Sequence, residues 1–330
     1  MKSTSTAYET ISGRVLEAGD RFEHVMALTL DPASDFKSGL IRCIVSREGD
    51  VGTEGFVDRS ELFLVDTDSS DQLIIGQKCV IAKEDEIVTR LLHNIIANHG
   101  DGWEYLGHED PDLHIGDDER KHLYFTMPFL QKGNDIMIIL LGHAVGDKLN
   151  TLEMTMSVLM QSDEKILDIS DIAKELSFAP KSSTGIRHHL IESADRVSGS
   201  WVSLVRVVHA KNEGGLWQRG EVVLHPHKAG IPWIAEHAPP GPLLPQSFVD
   251  LGPGRRLGIM NGRSASSLID GEKVFGPFTI GLFIYNYEEG KIEWISPKSI
   301  IEDKQARSVT FASEFVENQD KTGTLYAHIV

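Results

Sequence analysis

Gly107-His108-Glu109-Asp110-Pro111-Asp112, followed by the alternating segment His122-Leu123-Tyr124-Phe125-Thr126-Met127-Pro128-Phe129, is the stretch from which the rest of the chain is read. Proline fixes its own φ and keeps the residue before it, Asp110, out of the helical region. Two adjacent carboxylates are thereby held on a turn ahead of a strand, an arrangement that suits proton transfer. Asp and Pro are also ordinary turn residues, so the same stretch reads equally as a solvated turn.

Working outward, strand-like runs dominate. They fall at 24–30, 40–45, 61–65, 77–82, 122–127, 136–141, 201–208, 220–224, 257–260, 281–285, 292–294, 309–311 and 324–328. Most are short, rich in β-branched and aromatic residues, and bounded by Gly, Asp, Asn or Pro. Two helices are expected. Residues 84–98 carry Ile87, Leu91, Ile95 and Ile96 at helical spacing, and 169–176 follow a cap at Asp168 or Ser170. The Pro/Gly run 238–245 is the strongest break. Many short strands without a sequence repeat fit a sandwich, a barrel or a propeller, and the long inter-strand loops fit a propeller with divergent blades.

The 330 residues carry 32 basic and 49 acidic side chains, a net charge of −17, which argues against nucleic acid and anionic membrane as partners. The start, Met1-Lys2-Ser3-Thr4-Ser5-Thr6-Ala7-Tyr8, lacks the apolar core of a signal peptide, and no run reaches the roughly 18 apolar residues of a membrane helix. Cys43 and Cys79 sit in apolar runs and read as buried thiols, so a cytoplasmic protein is expected. No dinucleotide fingerprint, P-loop or nucleophile elbow occurs, and no cofactor is expected. His225-Pro226-His227 and His188-His189 invite a metal, but no Cys joins them and no helical His motif is present, so no metal is expected either.

Four segments, in order, resemble glycoside hydrolase family 130, a group of five-bladed β-propellers that includes mannoside phosphorylases and mannosidases. Asp101-Gly102-Trp103 leading into Glu109-Asp110-Pro111 is similar to the family's "DG…EDPR" turn. Pro239 to Gln246 with Leu257 to Gly262 is similar to its Gly/Pro loop and "WLLIYHG" strand. Gly281 to Tyr287 with Ile295-Ser296-Pro297-Lys298 resembles its "IGAALLDLEDP" hairpin. Ser308 to Ala312 with Gly323 to Ala327 resembles "NVVFP…LYYGA". The matches run from Asp101 to Ala327. The resemblance implies one five-bladed all-β propeller over residues 1–330, with the N-terminal segment completing the last sheet.

It further implies an enzyme acting on an oligosaccharide or glycoside, with homo-oligomerisation open. Asp110 would be the general acid, with Glu109 beside it binding hydroxyls or raising its pKa by like charge. For the base, Asp35, Asp58, Glu61, Glu192, Asp195, Glu236 and Glu314 are candidates, and Glu236 leads because it precedes the Pro/Gly loop. Arg206 corresponds to an Arg of the family's "MLHR" strand. Arg42, Arg47 and Arg59 also lie in or beside strands, where they read as hydroxyl donors or as ion pairs. His108 and His143 are candidate hydroxyl partners. Of Trp103, Trp201, Trp217, Trp233 and Trp294, Trp233 is the favoured sugar platform. Three departures stand out. Asp112 replaces the family's arginine, Gln246 its lysine and Asn261 its histidine. Losing the last two cations, which help hold phosphate in the phosphorylases, points to hydrolysis, with Arg263, Lys181, Arg187 and His188 as compensating candidates. Phosphorolysis and an inactive sugar-binding propeller remain as alternatives.

Overall fold

A computed structural model describes residues 19–49, 56–69, 72–133, 136–156, 158–162, 165–166, 172–197, 200–269, 272–301 and 309–329. The first sheet is an antiparallel meander of β1 (His24–Leu30), β2 (Ser38–Glu48), β3 (Val57–Thr67) and β4 (Leu73–Lys78). Helix α1 (Glu84–His99) leads to the second sheet, β5 (Trp103–Tyr105), β6 (Glu109–Ile115), β7 (Lys121–Gln131), β8 (Ile136–Gly146) and β9 (Glu153–Met154), in which β5 and β6 both pair with β7. The third contains β10 (Leu159–Ser162), β11 (Lys165–Ile166), β12 (Lys174–Ser177), β13 (Arg187–Val197), β14 (Ser200–Ala210) and β15 (Leu216–Leu224), in the order β11-β10-β15-β14-β13-β12. After the short helix α2 (Pro226–Ala229), the fourth sheet is built around β16 (Pro240–Leu243) and β17 (Arg255–Arg263). The hairpin of β18 (Ser267–Ile269) and β19 (Glu272–Val274) interrupts it before β20 (Phe278–Asn286) and β21 (Lys291–Ile295) complete it. Strands β22 (Val309–Glu317) and β23 (Gly323–Ile329) form a two-stranded ladder.

The sheets stand around a channel in a propeller-like arrangement. β1 packs against β6 and β22, β12 against β6 and β16, and β16 against β22, so the ring of inner strands closes. Apolar clusters seal the junctions between neighbouring sheets. Leu40 and Leu62 meet Phe125 and α1; Tyr124 meets Ile191 and Trp217; Val205 meets Met260 and Phe283; Ile280 meets Ala312; Ile41 meets Val316. Each large side chain buried this way contributes roughly 1.5–3 kcal/mol. Helix α1 joins the first cluster through Ile87, Val88, Leu91 and Ile95. Three acidic residues in its first turn complement the positive end of its dipole.

The expectation of five blades needs a correction. Among the described residues four sheets have four or more strands, and the remaining member of the ring is the β22–β23 ladder. The N-terminal segment expected to complete it lies outside the described residues. The helix expected at 169–176 is also corrected. Residues 167–171 lie outside the described residues, and Lys174–Ser177 is the inner strand β12. Residues 79–82 run past the end of β4 toward the second sheet, with Cys79 and Ile81 buried beside α1, Val80 exposed and Ala82 bridging to Glu153. Cys43 and Cys79 are buried free thiols, and burial pushes both up to about 12. No helix among the described residues is long and apolar enough to cross a membrane.

Glu109-Asp110-Pro111 is the start of β6 rather than a turn ahead of β7. Pro111, Pro240 and Pro242 are tolerated in strands because β6 and β16 are inner edges, where a missing N–H costs no ladder bond. Each inner strand also carries a register shift near the same level, between Met26 and Leu28, Glu109 and Asp112, Lys174 and Leu176, Pro240 and Leu243, and Ala312 and Glu314. A bulge re-aims the side chain at its extra residue. In three of the five that residue is left-handed: Ala27 at φ 51°, Asp110 at 45° and Glu175 at 53°.

Candidate active site

The channel holds a cavity of about 280 Å³, lined from every inner strand. Two of the bulge residues, Asp110 and Glu175, put carboxyls into its wall. Non-glycine residues in this backbone region are strained and concentrate at functional sites.

Asp110 is positioned through Gly107. The segment before β6 docks on β3, with the Ser60 N–H donating to Leu106 O at 3.0 Å and the His108 N–H to Ser60 O at 3.1 Å. Gly107 has φ 102°, and a Cβ there would lie 1.8 Å from Ser60 O, so only glycine permits the approach. Ser60 Oγ accepts from Arg42 Nε at 2.9 Å. The guanidinium then reaches Glu109 Oε1 at 2.6 Å and Asp110 Oδ1 at 3.0 Å. Burial pushes Glu109 up against the pull of Arg42.

The next inner strand carries a second carboxyl group cluster at the same end. Lys174 Nζ lies 3.3 Å from Glu192 Oε2 and 3.6 Å from Glu175 Oε1, with the two glutamates 4% and 7% exposed. Burial and the neighbouring Glu192 charge push Glu175 well above the usual carboxylate range. Burial opposes the charge of Glu192 too, but Lys174 and the hydrogen bond from Glu175 outweigh it and hold Glu192 down. The surroundings thus favour a proton on Glu175 and a charge on Glu192. Environments that split a pair this way are how acid and base roles are divided at neutral pH.

Glu192 also approaches His237 Nδ1 at 4.0 Å, and burial lowers His237 to about 4. Beside it, Glu236 Oε2 accepts from Arg263 at 3.0 Å and from Ser266 Oγ at 2.6 Å, and Oε1 accepts from the Ser266 N–H at 2.9 Å. The structure therefore brings Arg42, Glu109, Asp110, Glu192, Glu236 and Arg263 to one end of the ring. It adds Lys174, Glu175 and His237, which sequence reading missed. The positive φ and register shift at Glu175, matching those at Asp110, mark it in three dimensions. In the sequence, Lys174-Glu175 looks like the polar face of a helix.

Other candidates lie outside this cluster, although Asp112 and Glu314 line the same cavity. Arg59 pairs with Glu48 at 2.6 Å and Glu104 at 2.8 Å, and Arg47 with Asp58 at 2.6 Å. His108 is packed under Tyr105 and Phe125, and burial lowers it to about 3. Arg206 donates to Gly220 O at 2.9 Å. Trp233, in the 3-10 turn Pro232–Ile234 before β16, is buried against the fourth sheet and donates to Ser296 O, and Trp103 and Trp217 are buried too. The Trp201 side chain lies outside the described residues. Gln246 holds Asp250 in an exposed turn. Asn261 spends both ends of its amide on the Ala312 backbone, accepting at 2.7 Å and donating at 3.2 Å. Asp112 pairs with His114 at 2.7 Å. Glu61 pairs with Lys78, and Asp195 is largely exposed near His225. Glu314 faces the channel lower down, bonded to the Leu30 N–H, and Asp35 ends a turn before β2. The compensating cations are engaged as well, Lys181 by Asp117, Arg187 by Asp117 and Glu213, and His188 by Tyr287 O. Among the described residues, Asp118, His122 and Glu213 are grouped as a metal would need, away from this cluster.

No family model matches the chain. No curated protein matches it in sequence either. Solved structures do match. A protein of Bacteroides thetaiotaomicron, provisionally termed a glycosidase, superimposes at a TM-score of 0.62 with 14% identity, covering 92% of this chain and 82% of its own. A protein of Parabacteroides distasonis, provisionally termed a glycoside hydrolase, gives 0.58 at 15% identity over the same shares. A third comes from the GH130 family of mannoside phosphorylases, described as containing glycoside hydrolases that target β-1,2 mannosidic linkages in Candida mannan. It gives 0.59 at 11% identity, covering 92% and 79%. The fold is similar to that of GH130 structures. At these identities the likeness is one of fold, and the chemistry has to be argued from the side chains.

Proposed function

We propose that this chain is a glycoside hydrolase that cuts a β-glycosidic, mannoside-like bond at the carboxyl-lined end of the channel. On this reading residues 1–330 form one domain, with the β22–β23 ladder completing its ring. The observation that carries the proposal is the Glu175–Glu192 pair beside Lys174, on the same wall as Asp110. Glycosidic cleavage needs a proton for the leaving oxygen and a carboxylate that attacks or activates water. The family resemblance gives the acid to Asp110. Asp110 is ion-paired with Arg42, whereas burial and the Glu192 charge favour the protonated form of Glu175, so we assign the acid to Glu175 and the carboxylate role to Asp110. Arg42, Arg263, Glu109 and Glu236 are assigned to sugar hydroxyls.

Hydrolysis is preferred to phosphorolysis because Arg42, Lys174 and Arg263, the cations of this cluster, are each already matched to carboxylates. An incoming phosphate would have to compete with them. Kinetics of Glu175→Gln and Asp110→Asn on a cleaved glycoside test the assignment. Glu175→Gln is expected to lower kcat by roughly 10²–10⁴ and remove the alkaline limb of the pH profile. A variant that keeps both wild-type turnover and that limb would refute the role of Glu175.

A further inference from the structure

At the far end of the second and third sheets, two hairpins that belong to different blades meet. Asp118 and His122 come from the β6–β7 hairpin and Glu213 from the β14–β15 turn. His122 Nε2 lies 3.0 Å from Asp118 Oδ1 and 3.6 Å from Glu213 Oε2, and the three donor atoms lie within 4.8 Å of one another. An ion with bonds of about 2.0–2.2 Å to imidazole and carboxylate keeps its donors at separations of this order. The donors also converge on one small space. A Cβ at Gly116 would lie 2.5 Å from Glu213 Oε2, 2.5 Å from His122 Nε2 and 2.6 Å from Asp118 Oδ1, so glycine alone leaves it open.

Behind His122, its Nδ1 lies 3.0 Å from His143 Nε2, and His143 Nδ1 lies 2.7 Å from Thr155 Oγ1, so a relay of side chains holds the ring with Nε2 facing the two carboxylates. When the Thr155 hydroxyl accepts from His143 Nδ1, the proton of His122 sits on Nδ1 and Nε2 presents its lone pair between the carboxylates, the tautomer a metal ligand needs. A ligating histidine whose other ring N–H is held by a neighbour is the usual outer arrangement of a metal site. Glu213 is fixed as well. Arg187 takes its Oε1 at 3.3 Å, and the Asp117 N–H donates to Oε2 at 3.1 Å. His122 and Glu213 are 6% and 10% exposed while Asp118 is 47% exposed, which leaves an approach from solvent.

We infer that Asp118, His122 and Glu213 bind one divalent first-row transition ion, such as zinc, which ties the hairpins of two neighbouring blades. The two carboxylates neutralise its charge, and one imidazole with two carboxylates suits such an ion better than calcium, which takes six to eight oxygens. The site is apart from the carboxyl cluster and does not depend on what that cluster does. Untagged protein stripped with a chelator would be titrated with zinc by calorimetry, beside Asp118→Asn and His122→Ala. The expected result is one tight equivalent in the wild type, at least tenfold weaker in both variants, with zinc raising the melting temperature of the wild type only. Asp118→Asn removes an exposed side chain, so its folding is not at issue. Equal zinc affinity in the wild type and Asp118→Asn, or no zinc uptake by the wild type, would overturn the assignment.

Discussion

Replacing Arg42 by Met removes the cation that two buried carboxylates share while keeping an apolar stem of similar length. The guanidinium reaches Glu109 at 2.6 Å and Asp110 at 3.0 Å and is anchored on Ser60, with only 8% of the side chain exposed. Removing one partner of a buried pair leaves an uncompensated charge and costs about 3–5 kcal/mol, and here two carboxylates are stranded side by side. They can relieve the cost by taking up protons, so the deficit against wild type should be largest near pH 7 and shrink in acid. Urea denaturation of both proteins from pH 4 to pH 8 measures this. Adding Glu109→Gln to Arg42→Met should recover part of the loss, since it removes one of the two stranded charges. A loss below about 1 kcal/mol with no pH dependence would refute the claim that Arg42 is the electrostatic centre of the β2–β6 junction.

Gly107→Ala should cost at least about 2 kcal/mol, because a methyl group 1.8 Å from Ser60 O forces β6 away from β3 and the residue is left at positive φ; a denaturation midpoint equal to wild type would contradict this close approach. Glu314 is raised from 4.5 to about 7, with burial as the leading cause. A raised carboxyl contributes stability that is fully present below about pH 4.5 and lost as pH rises through 7. Relative to Glu314→Gln, the wild type should therefore lose about 1–3 kcal/mol over that window, the channel-facing part of the side chain limiting the effect. Parallel stability curves for the two proteins would count against that buried environment.

Much of the outer architecture was legible in the sequence. Strand 24–30 has the observed bounds of β1, and 122–127 and 281–285 lie inside β7 and β20, because apolar residues crowd these positions wherever a sheet is covered on both faces. The inner strands were harder to read. Glu109-Asp110-Pro111, Lys174-Glu175 and Pro240-Gly241-Pro242 are too polar or too rich in proline to look like strands. They become strands only because a closed ring supplies partners across the channel and an inner edge needs no second ladder. The site was half legible for the same reason. The EDP motif marked Glu109 and Asp110, but Glu175 becomes a proton-holding group only through Glu192 on β13 and Lys174 beside it. Asn261 and Gln246 occupied positions of the family motif, and the structure gives their side chains to Ala312 and Asp250.

The central claim is that the carboxyl cluster cuts a glycosidic bond with water. Incubating the wild type and Glu175→Gln with β-mannosides and other β-linked oligosaccharides, with and without phosphate, and separating the products tests it most directly. The account predicts free sugar from the wild type at the same rate in both conditions, and little or none from Glu175→Gln. Sugar-1-phosphate formed only when phosphate is added, or no product from any of the substrates, would contradict it.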